Sequence, residues 1–160
     1  MMDARFEDAP LSDQPLKLMA ESEEDLQIIA TLSQDAVCKT KNIHWMPRAR
    51  RLVLLLHRFR WEDAQAATTQ RRPYERVQSA LTIHDAARLQ VRGINQSAPE
   101  GVNAVLTIAF EPAEDGAGRV HVTCAEGSEI VVEVECLNVT LSDLTQPWEA
   151  ASSNAPKHPD

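Results

Sequence analysis

Apolar and polar residues alternate over most of the chain, which is the pattern of β-strands with one buried face. The stretch 52–61 is apolar on both faces as far as Leu56 and then alternates. A strand that is apolar on both faces needs cover on both sides. The turn 47–50 joins this strand to a preceding one as a hairpin. The pattern predicts strands at 15–20, 43–46, 52–61, 76–83, 88–94, 102–110, 119–124 and 128–137.

One segment has helical periodicity instead of alternation. Its apolar positions share one helix face, and Ser22 offers a hydroxyl that can cap the first turn. Acidic residues at 23–25 complement the positive end of a helix. We therefore predict a helix at about 22–35, with Leu26, Ile29, Ala30, Ser33 and Val37 at helical spacing on its packed face.

These elements predict an α+β fold in which β-structure dominates. One N-terminal helix packs on a curved antiparallel sheet of about eight strands, barrel-like or sandwich-like. The polar residues 62–75 are predicted to form a loop, and 141–144 a last helical turn. Acidic residues 1–14 are predicted to be disordered and 149–160 to form a flexible tail. A single globular domain is left at 15–148.

The last two strands allow a prediction of register. Residues 125–127 form a three-residue loop, in which Gly127 takes the left-handed position of a type I turn with a bulge. This loop places Val120 directly opposite Val132 on the buried face. A slip of one residue would mismatch the faces of the two strands.

Composition indicates the number of domains and the cellular compartment. A chain of 160 residues is long enough to bury about 70 % of its unfolded surface in one domain. The odd, sparse set Cys38, Cys124 and Cys136 favours a reducing compartment over a disulfide framework. The N-terminus has no apolar run typical of a signal peptide, and the apolar run 52–56 is too short to span a membrane. We expect a cytoplasmic, bacterial protein without membrane contact.

Charge is segregated along the chain. Residues 1–35 contain nine acids and two bases, and residues 100–149 contain ten acids and one base. The middle, 36–99, contains twelve bases and four acids. A basic surface can attract an acidic partner, whereas nineteen flanking carboxylates can instead neutralise the bases within the fold. A pI near 5.1 disfavours a dedicated nucleic-acid binder.

Common catalytic and cofactor motifs are missing. The cysteines and histidines lack the spacing of a zinc site, and no G-x-S-x-G elbow is found. The five glycines form neither a P-loop nor a dinucleotide fingerprint. We expect no cofactor and no metal. Cys38 follows the helix near Lys39 and Lys41, which could activate it, although a buried structural thiol is the simpler interpretation.

Arginine forks bind carboxylates and phosphates through two parallel hydrogen bonds, and aromatic rings beside them can stack. Paired arginines on strand faces, with neighbouring rings, are therefore the candidate ligand-binding residues. They are Arg58, Arg60, Arg88, Arg92, Trp61 and His57.

Several stretches together resemble a conserved-hypothetical family of alphaproteobacterial proteins, catalogued only as a domain of unknown function. The resemblance covers about 15–148 and implies no activity, cofactor or site residue. The stretches are 15–26, 34–37, 57–62, 92–94, 109–112, 134–136 and 141–144, with Pro147-Trp148.

The favoured hypothesis is a non-enzymatic binding or adaptor module. Its arginine-rich face would bind an acidic protein partner or a phosphorylated ligand. One alternative is a small enzyme whose site is assembled only in three dimensions, with Cys38 or His57. Another is a structural subunit of a complex. A flat basic patch would favour the module, and a deep pocket lined by His57, Arg58 or Cys38 would favour the enzyme.

Overall fold

The computed structural model describes residues 15–150, and the predicted disordered N-terminus and most of the predicted tail lie outside this range. The described range contains two α-helices, α1 (Glu23–Leu32) and α2 (Trp61–Thr69). Its eleven strands are β1 (Lys17–Ala20), β2 (Val37–Lys39), β3 (Ile43–Met46), β4 (Arg51–Phe59), β5 (Glu75–His84), β6 (Ala86–Arg92), β7 (Val102–Pro112), β8 (Gly118–Cys124), β9 (Glu129–Val134), β10 (Val139–Asp143) and β11 (Trp148–Glu149).

The strands form one open antiparallel sheet in the order β1-β10-β5-β4-β2-β7-β8-β9-β6, with β3 beside β4 and β11 beside β5. Only Asp85 separates β5 from β6 in the chain, yet β6 is the last strand of the sheet order. The sheet must therefore curve strongly enough to bring its last strand back to the end of β5. The predicted curvature and antiparallel pairing agree with this arrangement, but the sheet is not a closed barrel.

A single hydrophobic core joins the two halves of the sheet. Leu54, Leu81 and Leu141 come from the half around β4, whereas Val120 and Val132 come from the half around β8. All five are at most 1 % exposed. Full burial of such a side chain contributes about 1.5–3 kcal/mol relative to exposure, so the curved sheet is stabilised mainly from its inner face.

Helix α1 agrees with the predicted N-terminal helix. The Ser22 hydroxyl accepts a hydrogen bond from the Asp25 backbone amide at 3.2 Å, and the apolar face buries Leu26 and Ile29 in the core. Asp35 adopts a left-handed backbone (φ 64°) just after the helix and redirects the chain into β2. Neither helix in the described range is long and apolar enough to cross a membrane.

Two segments differ from the prediction. Residues 61–69 form α2 where a polar loop was expected, because three alanines and two first-turn acids outweigh the polar character of the segment. Residues 141–144 belong largely to β10, in which Val139 and Leu141 alternate with polar residues and are fully buried. The described residues therefore contain two α-helices instead of the one expected. The short strands β2, β10 and β11 raise the number of strands above eight.

The predicted register of the last hairpin is confirmed. Val120 lies opposite Val132, and the Cys124 amide donates to the Ser128 carbonyl across the turn at 2.9 Å. Gly127 has the predicted positive φ of 78°. The preceding residue, Glu126, is also left-handed (φ 65°), so the turn differs from the predicted type I geometry while preserving its register.

Candidate functional site

Arg58 lies on the core-facing side of β4. Leu52, Leu54 and Leu56 occupy the preceding inward positions of the strand, and the two-residue period places Arg58 next on the same side. Its side chain is fully buried. The sequence prediction put Arg58 on a ligand-binding surface, whereas the structure puts it in the interior.

Polar groups from three other elements satisfy the Arg58 guanidinium. Glu62 of α2 accepts hydrogen bonds of 2.9 and 2.8 Å, and Asp143 of β10 accepts one of 3.0 Å. Ser79 of β5 accepts another at 3.0 Å. Burial alone would lower the pKa of Arg58, but the hydrogen bonds and charges of Glu62 and Asp143 outweigh it and raise this pKa. The group is a permanent internal cation.

Arg60 belongs to the same internal network and is 3 % exposed. Its Nη1 donates to the Glu75 carboxylate and lies 3.8 Å from Asp63. Asp63 in turn accepts two 2.7 Å hydrogen bonds from Arg72. Internal neutralisation, the alternative considered for the basic middle, therefore describes Arg58 and Arg60. Together these pairs join α2 to β4, β5 and β10.

His57 and Trp61 do not form a stacking surface with these arginines. His57 points to the outer face of β4, where its ring meets the Trp148 ring edge to face at 5.5 Å. Trp61 begins α2, and its indole N–H donates to the Gln34 carbonyl at 3.0 Å. Trp61 thus attaches α2 to the segment after α1.

Arg88 and Arg92 are in a different part of the molecule, on the outer face of β6. Their side chains are 73 % and 68 % exposed. Each lies near a carboxylate of β9, Arg88 at 3.7 Å from Glu133 and Arg92 at 4.0 Å from Glu129. Exposed pairs at such distances are weak, so both guanidinium groups remain accessible to a partner.

The thiols lack the properties of catalytic nucleophiles. Burial, with a smaller contribution from Cys124, raises the pKa of Cys38 to about 12, and burial raises the pKa of Cys124 to about 11. Cys136 is exposed, but its hydrogen bond to Asp85 raises its pKa as well. Because the thiolate is the nucleophile, the geometry gives no support to an enzyme based on Cys38. Residues 15–150 contain no cluster of His, Cys, Asp and Glu suited to a metal.

This difference in thiol exposure gives a direct prediction. In native protein at neutral pH, one thiol per chain should react with 5,5′-dithiobis(2-nitrobenzoate), because Cys136 is exposed while Cys38 and Cys124 are buried. Three should react in denaturant, as no disulfide joins them. Cys136→Ser should abolish the native reaction. Rapid reaction of two thiols in the native wild-type chain would contradict the burial of Cys38 and Cys124.

An apolar cavity of about 180 Å³ lies between β3 and β6. We call it the edge cleft, because within the described residues β3 pairs with β4 alone and β6 with β9 alone. Alternation along both strands turns their apolar side chains inward. The walls are Ile43, Trp45, Leu89, Val91 and Ile94, and the ends include Thr40, Lys41, Gln96 and Pro99.

The chain around the edge cleft is basic. Segments 39–51 and 86–101, which bound it, contain seven lysines and arginines and one carboxylate, Glu100. Glu100 bridges two of the lysines, and Glu135 pairs with one arginine of the β3–β4 turn. Arg48 and Arg51 have exposed side chains near this turn. Glu129 and Glu133 also lie beside Arg92 and Arg88, so four carboxylates accompany the seven bases and the border of the apolar cleft keeps a net positive charge.

The sequence predicted β3 and β6 as strands but not that they border one cavity. The available signal was the pairing of inward apolar positions with outward basic ones, as in Leu89 and Val91 beside Arg88 and Arg92. Strand order, which places β6 across from β3, is not encoded in that alternation.

A family model described as a protein of unknown function (DUF2948) matches residues 16–158. The chain belongs to the DUF2948 family. This match confirms the resemblance to a family of unknown function, including its extent over nearly the whole chain. No curated protein and no solved structure matches the chain. The geometry of the edge cleft is therefore the basis for the function of this DUF2948 protein.

Proposed function

We propose that the protein is a non-enzymatic binding module that holds an acidic segment of a protein partner at the edge cleft. The observation that supports this best is the combination of a partly open apolar cavity and a basic border, at two strand edges that are unpaired within the described residues. An acidic partner complements the border, and an apolar side chain of that partner fills the cavity.

The size of the cavity decides between classes of ligand. Pockets for drug-sized molecules and cofactors measure about 300–1,000 Å³. The edge cleft, at about 180 Å³, is smaller and fits a single apolar side chain better than a whole cofactor. A protein segment can place one such side chain in the cleft and use the surrounding surface for its remaining contacts.

A phosphorylated ligand has less support. Such a ligand needs converging, accessible arginines. Arg58 and Arg60 are committed to internal carboxylates. Arg88 and Arg92 are accessible, but they are four residues apart along β6, about 14 Å at 3.4 Å per residue, so they do not converge on one phosphate. The acidic protein partner is therefore the occupant that we adopt.

The test uses peptides selected from a displayed random library by their binding to the full chain. The recovered peptides should be rich in Asp and Glu and should contain a large apolar residue. The double variant Arg88→Glu/Arg92→Glu should weaken their binding about tenfold or more, a loss of about 1.4 kcal/mol or more.

The matched control is Lys17→Glu/Arg71→Glu, which makes the same change in net charge at exposed positions outside β3 and β6. It should change the affinity less than about twofold at physiological salt, because distant exposed charges are screened. Equal losses in both double variants, recovery of peptides without acidic residues, or recovery of no peptide would refute the proposed function.

A further inference from the structure

The two strands that border the edge cleft have unpaired edges of unequal length. β3 contains four residues and β6 contains seven. In the described part of the chain neither strand has a second neighbour in the sheet. An unpaired edge presents backbone N–H and C=O groups that can pair with another strand.

Backbone hydrogen bonds close the edge cleft at both ends. The Ala86 amide donates to the Arg50 carbonyl at 2.9 Å, and the Lys41 amide donates to the Pro99 carbonyl at 3.0 Å. β3 thus runs from the Lys41 end to the Arg50 end, whereas β6 runs in the opposite direction. β6 has an irregularity in its pairing between Ala86 and Arg88, so its regular edge between these closures is residues 88–92, roughly 17 Å at about 3.4 Å per residue.

We propose that the partner segment binds as an extended strand, adding antiparallel to the free edge of β6. This inference rests on the proposed function and names its mode of recognition. Main-chain hydrogen bonds provide affinity in such strand addition, and pockets for alternate side chains provide specificity. β6 is the receiving edge because it is the longer of the two.

The alternation of β6 determines the sequence pattern of the guest. Leu89 and Val91 face the cavity, whereas Arg88, Gln90 and Arg92 face outward. Cross-strand neighbours lie on the same face of a sheet. An added strand therefore places its one large apolar residue in the cavity beside Leu89 or Val91, a small apolar residue at the other of these two positions, and acidic residues beside Arg88 and Arg92. The guest should alternate apolar and acidic residues with a period of two.

The same charges disfavour a second copy of this chain as the occupant. Two β6 strands paired antiparallel would bring arginines of both copies to one outer face, and like charges on neighbouring strands are destabilising. Basic side chains on an edge strand are also a known means of preventing self-association. An acidic guest removes this repulsion by supplying the opposite charge.

Alternate N-methylation of a selected peptide tests the pairing. A strand added to one edge directs every second amide toward that edge, and N-methylation removes the amide as a donor. Methylating one alternate set should weaken binding about tenfold or more, while methylating the other set should change it less than about threefold. No loss from either set, or equal losses from both, would overturn strand addition.

A charge exchange on the protein gives a second, independent readout. Arg92→Glu should weaken binding of an acidic peptide and strengthen binding of the same peptide with its acidic residues replaced by lysine. The exchange should persist when only the apolar positions of the peptide are altered to other apolar residues of similar size, because those positions do not face Arg92. If the Arg92→Glu chain still prefers the acidic peptide, the predicted contact between Arg92 and an acidic residue of the guest is wrong.

The two proposals fail in different ways. If no acidic peptide is recovered, the proposed function and its strand mode are both wrong. If acidic peptides bind and depend on Arg88 and Arg92, but the methylation effect does not alternate, the binding module stands and strand addition alone is refuted.

Discussion

Replacing Arg58 with methionine should lower the free energy of unfolding by about 3–5 kcal/mol. Methionine preserves much of the side-chain volume, so the loss measures mainly the missing charge and hydrogen bonds. The Asp143 side chain is 4 % exposed, so its carboxylate would stay buried without a cation beside it. Glu62 would lose the guanidinium that donates two hydrogen bonds to it. Breaking one member of a buried ionic group is more costly than the intact group is stabilising.

Urea unfolding at neutral pH measures this change, with Arg88→Met as the matched control. Arg88 is an exposed arginine in a strand, so its replacement should shift stability by no more than about 0.5 kcal/mol. The triple variant Arg58→Met/Glu62→Gln/Asp143→Asn should regain part of the lost stability, because it also removes the two carboxylate charges that Arg58→Met leaves without a cation. A cost below about 1 kcal/mol for Arg58→Met would show that solvent compensates the carboxylates and that the network is not a closed interior group.

The location of Arg58 was available in the sequence. Leu52, Leu54 and Leu56 define the inward face of β4, and the period of two extends that face to Arg58. The sequence prediction instead paired Arg58 with Arg60 as candidate ligand-binding residues, because guanidinium forks suit phosphates and carboxylates. What the alternation could not supply was the carboxylates that allow burial, since Asp143 is 85 residues distant in the chain.

The register of the last hairpin, in contrast, was predictable from the sequence. Its contacts are local, and a three-residue turn ending in Gly127 left one alignment that kept Val120 and Val132 on the same buried face. The edge cleft depends on the order of non-consecutive strands instead. Residues 43–46 and 86–92 both alternate, but nothing in their local pattern determines that a curved sheet brings them to the two sides of one cavity.

Gly118 is the glycine at which an added methyl group should be most disruptive. Gly118 opens β8 opposite Pro112, and a Cβ atom there would lie 2.3 Å from the Glu111 carbonyl oxygen and 2.6 Å from the Phe110 ring. The ring could turn away, but the carbonyl belongs to the neighbouring strand and cannot move without disturbing the β7–β8 pairing. The clash therefore involves the backbone, which makes it costlier than ordinary overpacking of a core.

We expect Gly118→Ala to lower the free energy of unfolding by about 3 kcal/mol, at the upper end of the range for overpacked sites. Gly116→Ala is the control, because Gly116 has a positive φ of 83° but no atom within 4 Å of an added Cβ. It should cost about 1–2 kcal/mol through backbone conformation alone. In a Phe110→Ala background the Gly118→Ala cost should fall without vanishing, since the Glu111 carbonyl remains. If urea unfolding shows Gly118→Ala to be no more costly than Gly116→Ala, the close approach of β7 and β8 at this end of the sheet is wrong.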